Sequence, residues 1–177
     1  QKGLARSFQV TSLFPNLSVR ENLRLAAQGR SPLAALNPWK RAEQFTAACT
    51  LADELVTRLS LQAVAERACA ELSHGQQRRL EVGMAMAGRP KVIFLDEPTS
   101  GMGIDDIAEM KQLIHGLRRD YTVVLIEHNM DIVMDISDRI TVMQLGQILA
   151  QGKPAEIRSD ERVRRAYLGS MITGGKA

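Results

Sequence analysis

Four consecutive apolar residues, Val92, Ile93, Phe94 and Leu95, run directly into two carboxylates, Asp96 and Glu97, and then Pro98 ends the run. An apolar run without alternation is the pattern of a strand covered on both faces, as in a parallel sheet. The two acids therefore stand at the carboxyl end of a buried strand, the edge at which open α/β sheets bind ligands. Successive strand residues point to opposite sides, so this pair does not simply share a face.

Upstream, Ser73-His74-Gly75-Gln76 fits the S-x-x-Q capping box, with Ser73 bonding the Gln76 amide and Gln76 reaching back. Behind it Leu80, Gly83, Met84 and Ala87 share one helical face, and Arg78, Arg79 and Glu81 fall off it. Gly75 in the first turn is the unusual residue, since glycine weakens a helix. Its use there is close approach of backbone amides to a phosphate, which the helix dipole favours.

The order Leu72-Ser-His-Gly-Gln76, helix, Val92-Ile-Phe-Leu-Asp-Glu-Pro98 resembles the ABC-type ATPases. The first segment is similar to that family's signature motif and the second to its Walker B strand. The resemblance implies an α/β fold: the C-terminal part of an ABC ATPase domain of P-loop NTPase type, with a parallel-sheet core and a helical subdomain. It implies ATP and Mg²⁺ as cofactors. Asp96 would help to hold Mg²⁺, and Glu97 would polarise the water that attacks the γ-phosphate. Ser73, Gly75 and Gln76 would grip that phosphate from across a dimer interface. Gln9, in Arg6-Ser7-Phe8-Gln9, resembles the Q-loop glutamine that reaches both the Mg²⁺ and the attacking water. His128, after the apolar run Tyr121–Ile126, resembles the switch histidine that contacts the γ-phosphate and helps to orient the water.

Composition is consistent with this reading. The chain has 177 residues, 45% hydrophobic and 24% charged, which describes one globular domain with a real core. No apolar run approaches the ~18 residues of a membrane helix, and the start lacks the apolar centre of a signal peptide. The net charge is +3, and the segment after Gly152 carries six bases against three acids, so the excess resides there. A basic helix face in water is the plainer reading of that tail than a surface for anionic lipid or nucleic acid. Two cysteines, Cys49 and Cys69, do not make a disulfide framework, and Cys69 with His74 has too few ligand-type neighbours for a metal site.

Along the chain, Ser18-Val19-Arg20-Glu21 opens a helix expected to run to about Gln28. In the family this region forms the groove that receives a short helix of the membrane subunit, lined or supported here by Phe14, Pro15 and Leu17. A loop is expected from Gly29 to Asn37, then a helix starting at Asn37-Pro38 and carrying Phe45, Ala48, Leu51, Leu55 and Leu59. Short helical structure is expected between Ala63 and Cys69. An amphipathic helix is expected from Ile104 to Leu117, with Ile107, Met110, Leu113, Ile114 and Leu117 inward, then a buried strand to Ile126. A helix capped by Asn129, a hairpin turning near Leu145-Gly146, and two short helices from Pro154 complete the chain. The expected division is a core segment with the Q-loop (1–13), a helical subdomain with the signature (14–88), an α/β core (89–152) and a helical tail (153–177). Gly103 stands where the family usually places an aspartate, in a loop that couples its two nucleotide sites.

The phosphate-binding loop G-x-x-x-x-G-K-[ST] does not occur in this sequence. Gly83 to Pro90 has the glycine spacing, but Arg89-Pro90 replaces the lysine and hydroxyl. The strands that cradle the α- and β-phosphates are expected to lie before Gln1, and the chain alone is expected to bind ATP poorly. Gly3–Gln9, Leu13–Val19, Gly75–Glu81, Glu127–Asp131 and Arg162–Gly169 resemble the ATPase subunits of branched-chain amino acid importers and their amide and urea relatives. The partners implied are a second ATPase subunit, as homo- or heterodimer, transmembrane permease subunits and, through them, a substrate-binding protein. The place implied is the cytoplasmic face of the membrane, peripherally bound, with no nucleic acid expected. The alternatives are a soluble ABC ATPase working on nucleic acid or ribosomes, and a non-catalytic ABC-like binding module. Gln9, Asp96, Glu97 and His128 are all of catalytic type, which a pure scaffold would not need.

Overall fold

The computed structural model describes residues 4–6 (as backbone), 13–29 and 45–166. Gln9, the loop expected to Asn37, the helix start at Asn37-Pro38 and the segment after residue 166 lie outside the described residues. The chain forms two compact units, residues 1–127 and 128–177.

The first unit is built on a parallel sheet in the order β1 (Leu4–Arg6), β2 (Val92–Asp96), β3 (Thr122–Ile126). Strand β2 takes the centre, with Ala5 opposite Ile93 on one side and Asp96 opposite Ile126 on the other. Ile93 and Leu95 are completely buried, while Val92 and Phe94 are half-buried. Strand β3 departs from the expected two-sided burial: Val124 and Ile126 are exposed on one face and Val123 and Leu125 half-buried on the other. Among the described residues β3 is the edge of the sheet, and one of its faces carries no cover.

Three helices form a layer beside the sheet: α1 (Val19–Gln28), α2 (Thr46–Arg58) and α3 (His74–Ala87), each packed against the other two. Ser18 caps α1 by accepting the Glu21 amide, and Val19, Leu23 and Ala27 form its buried stripe. Leu55 and Val56 answer from α2, with Leu59 at its C-cap, and Leu80, Val82 and Met86 from α3. Short 3₁₀ turns at Gln62–Val64 and Cys69–Glu71 occupy the stretch expected to be helical. That stretch also pairs with the segment before α1, through a Ser18–Ala68 bridge and the bonds Cys69 N–H to Leu17 O and Ala70 N–H to Pro15 O, both 3.0 Å.

Arg79 corrects the expected helical face. It is buried, not off the apolar side, and it pairs with Glu109 on α4 (Ile104–Leu117). The reason is that α3 is covered on more than one flank, by α1 and α2 and also by α4. Met110, Ile114 and Leu117 are buried along α4, as its spacing predicts.

The second unit has its own small core. Asn129 caps α5 (Met130–Ile136), accepting the Asp131 and Ile132 amides. An antiparallel hairpin follows, β4 (Ile140–Gln144) and β5 (Gln147–Gly152), turning through Leu145 and Gly146 with φ of +50° and +77°. Paired positive φ values give the turn whose twist suits adjacent strands. Ile140, Ala150, Ile157 of α6 (Pro154–Ser159) and Val163 pack together with Met130, Val133 and Leu149. No helix among the described residues is long and apolar enough to cross a membrane.

Candidate nucleotide site

The start of α3 is an open, fully formed cap. Ser73 Oγ accepts the Gln76 amide at 3.2 Å, and Gln76 Oε1 accepts the Ser73 amide at 3.0 Å. Both residues keep contact with solvent, whereas Gly75 between them is buried. The cover is the Asp106 side chain from the first turn of α4, which leaves no room for a Cβ on Gly75. Gln77 anchors the same turn from behind by donating to the Cys69 carbonyl at 3.1 Å. Four backbone amides at a helix start have no partner within the helix, and the positive end of the dipole lies with them. Here the Gln76 amide is taken by Ser73 Oγ and the Asp106 carboxylate lies over Gly75, so this helix start already carries acceptors from the chain itself.

Asp96 is the last residue of β2 and Glu97 the first beyond it; both are half-buried. Glu97 has φ +45°, a left-handed conformation that costs a non-glycine residue of order 1 kcal/mol or more and is concentrated at functional sites. Its N–H donates to Ile126 O at 2.9 Å and its carbonyl accepts the Ser100 N–H at 3.1 Å, so the strained residue is held from both ends. The alternation of side chains along a strand consequently stops at Asp96, and the direction of Glu97 is set by the turn. Thr99, which is buried, donates both its N–H and its hydroxyl to Glu127 Oε1 just beyond β3. The ends of β2 and β3 are thereby joined.

No group of three or more His, Cys, Asp or Glu residues among the described residues could hold a metal by itself. Mg²⁺ characteristically keeps several waters and takes one or two carboxylates together with phosphate oxygens. Asp96 is a carboxylate of that kind by its position, the last residue of β2 at the sheet edge. Of the other expected residues, Gln9 lies outside the described residues, and His128 is exposed as the first residue of the second unit. Sequence reasoning did not find the Thr99–Glu127 link or the bond between His74 and Ser100. The available signal was that β2 and β3 are parallel neighbours, so the residues just past each strand had to meet.

A sequence profile described as "ABC transporter" matches residues 1–100, which is more than half of the chain. The chain belongs to the ABC transporter ATPase family. A second profile, "Branched-chain amino acid ATP-binding cassette transporter", matches residues 147–171 of this ABC ATPase. It is 39% identical to the high-affinity branched-chain amino acid transport ATP-binding protein BraF of Pseudomonas aeruginosa, over 96% of this chain and 69% of that protein. Among solved structures, an ATP-binding cassette of an ABC transporter aligns with TM-score 0.76 at 30% identity, covering 93% of this chain and 68% of that one. The ADP conformation of that cassette aligns with TM-score 0.73 at 30% identity, over 94% and 68% of the two chains. The fold class expected from the sequence is thereby established.

Proposed function

We propose that this chain is the signature- and Walker B-bearing part of an ATPase subunit that hydrolyses MgATP to drive an importer for branched-chain amino acids or related amides or urea. The observation that carries the reading is the pairing, within one unit, of a capped helix start at Ser73–Gln76 with the carboxylates Asp96 and Glu97 past a central parallel strand. The profile over residues 147–171 and the likeness to BraF support the substrate class.

ATP supplies the phosphoryl group, and Mg²⁺ neutralises charge on its phosphates. Asp96 and Gln9 would hold the metal, directly or through water. Glu97 accepts a hydrogen bond from the attacking water and draws its proton away, as a carboxylate positioned for general base work would. His128 donates to the γ-phosphate. Ser73, Gly75 and Gln76 act on the nucleotide of a second ATPase subunit by presenting amides and a hydroxyl. The phosphate-binding loop, which this sequence does not contain, is the remaining component. Closure of the paired subunits then moves permease subunits, with this chain peripheral on the cytoplasmic face. The division into residues 1–13, 14–88, 89–152 and 153–177 belongs to the same reading.

The test is Glu97→Gln in an assembly that includes the phosphate-binding loop. MgATP should still bind and should hold the paired subunits closed, with steady-state turnover lowered by about two orders of magnitude or more. Wild-type turnover in that variant would remove the role given to Glu97.

A further inference from the structure

His74 is the first residue of α3, directly after the Ser73 cap, and the capping box is complete without it. Its imidazole reaches across to the loop that follows Glu97. Nε2 lies 3.1 Å from the Ser100 carbonyl oxygen, and a Cβ built on Gly101, where φ is +73°, would stand 3.4 Å from the same nitrogen. A carbonyl only accepts, so Nε2 must carry the proton, which both the Nε2–H tautomer and the imidazolium allow. The Ser100 N–H donates in turn to the Glu97 carbonyl at 3.1 Å. Alongside this chain of bonds the Asp106 side chain rests on Gly75. The helix start therefore meets the 97–106 segment at two points, one through His74 and one through Gly75.

We propose that His74 is a positioning residue that couples the helix start at Ser73–Gln76 to the turn holding Glu97, in a chain that has Gly103 where a coupling aspartate is expected. The inference rests on the ATPase reading above, in which Ser73–Gln76 serves one nucleotide and Glu97 the other. The path His74–Ser100–Glu97 then runs from one nucleotide site to the other inside a single subunit. A shift of the helix start on phosphate binding is passed to the backbone of Glu97 through two hydrogen bonds.

Two measurements test it, on wild type, His74→Ala and His74→Gln, the last retaining a side-chain N–H donor. Amide hydrogen exchange on the 177-residue chain reads the link itself. His74→Ala should speed exchange at Ser100, and at Met102, whose N–H donates to the Thr99 carbonyl in the same turn at 3.2 Å, by about three- to tenfold, the effect of one lost hydrogen bond, with the β2 amides unchanged and His74→Gln close to wild type. Unchanged exchange at Ser100 and Met102 overturns the proposal whatever becomes of the ATPase reading. In the ATP-hydrolysing assembly, His74→Ala should reduce the cooperativity of turnover with respect to ATP, and His74→Gln should restore it. Wild-type cooperativity in His74→Ala overturns the coupling role alone, whereas a wild-type assembly without MgATP turnover overturns the ATPase reading and this proposal with it.

Discussion

The carboxylate of Glu127 accepts both the backbone N–H and the hydroxyl of Thr99, joining the turn after β2 to the end of β3. Both strands end at the same sheet edge, and this link fixes the turn that carries Glu97. Removing one partner of a buried hydrogen bond leaves the other desolvated, which costs more than the bond itself contributes. Thr99→Val should therefore lower unfolding free energy by about 1–3 kcal/mol, and Thr99→Ser should recover most of it. Urea denaturation checks both. Equal stability of the valine and serine variants would mean that the hydroxyl contributes nothing.

A second anchor holds the segment before α1. Asn22 is completely buried; its Oδ1 accepts the Phe14 N–H at 2.8 Å, and its Nδ2 faces the Ser18 carbonyl at 2.9 Å, the Phe14 carbonyl at 3.1 Å and Cys69 Sγ at 3.1 Å. An amide has two N–H donors, so they are shared among these acceptors. Asn22→Asp keeps the acceptor for Phe14 but turns a charged oxygen towards carbonyls. It should destabilise by about 2–4 kcal/mol at neutral pH and by less at acid pH, where the carboxyl is protonated and regains a donor. Thermal unfolding across that range reads the difference. A penalty independent of pH would show that the site opens to water instead.

These two anchors mark where the sequence was legible and where it was not. The cap at Ser73, the strand Val92–Asp96, the helix Ile104–Leu117 and the hairpin turn at Leu145-Gly146 each rest on local chemistry: a hydroxyl three residues before a glutamine, an apolar run, a helical period, a glycine in a tight turn. Local chemistry is written in consecutive residues. Arg79 was misread because a helix wheel weighs one apolar face, and the partner that buries the guanidinium, Glu109, is thirty positions away. Strand β3 was misread because an apolar run records what the strand is suited to, and its exposed Val124 and Ile126 depend on which neighbours are beside it. The left-handed backbone at Glu97 and the bond from His74 to Ser100 arise from the way strand ends and helix starts converge, for which no residue pattern stands in the sequence.

Gly75 offers a test of that convergence whose sign depends on a second residue. Alanine in a helix is ordinarily favoured over glycine by up to about 1 kcal/mol, but here a Cβ meets the Asp106 carboxylate group. Crowding of this kind costs about 1–3 kcal/mol, so Gly75→Ala should destabilise the chain. In the Asp106→Ala background the obstacle is gone, and the same substitution should become neutral or stabilising. Chemical denaturation of the four variants gives the coupling directly. Stabilisation by Gly75→Ala in both backgrounds would mean that Asp106 swings aside at no cost.

In the second unit, Asp160 sits between α6 and the helical turn at residues 161–166. Its Oδ1 accepts the Arg162 N–H at 2.8 Å, and its Oδ2 lies 2.7 Å from Arg162 Nη2. The Arg162 guanidinium hydrogen bond, followed by the backbone bond from Arg162, holds the carboxyl down at about 2 against an ordinary 3.8. A depressed folded value means that the native state binds this proton more weakly than the unfolded chain does. The contribution to stability is therefore present above the ordinary carboxylate range and is lost as pH falls through the interval towards 2. Asp160 is half-buried and Arg162 exposed, so salt should weaken the effect in part. NMR titration of the side-chain carboxyl should give a midpoint near 2 in the wild-type chain, moved up towards the ordinary range by Arg162→Ala, in which only the backbone bond remains, and less far by Arg162→Lys, which adds a charge without the fork. An unshifted midpoint in Arg162→Ala would assign the depression to the backbone amides of the helical turn rather than to the guanidinium.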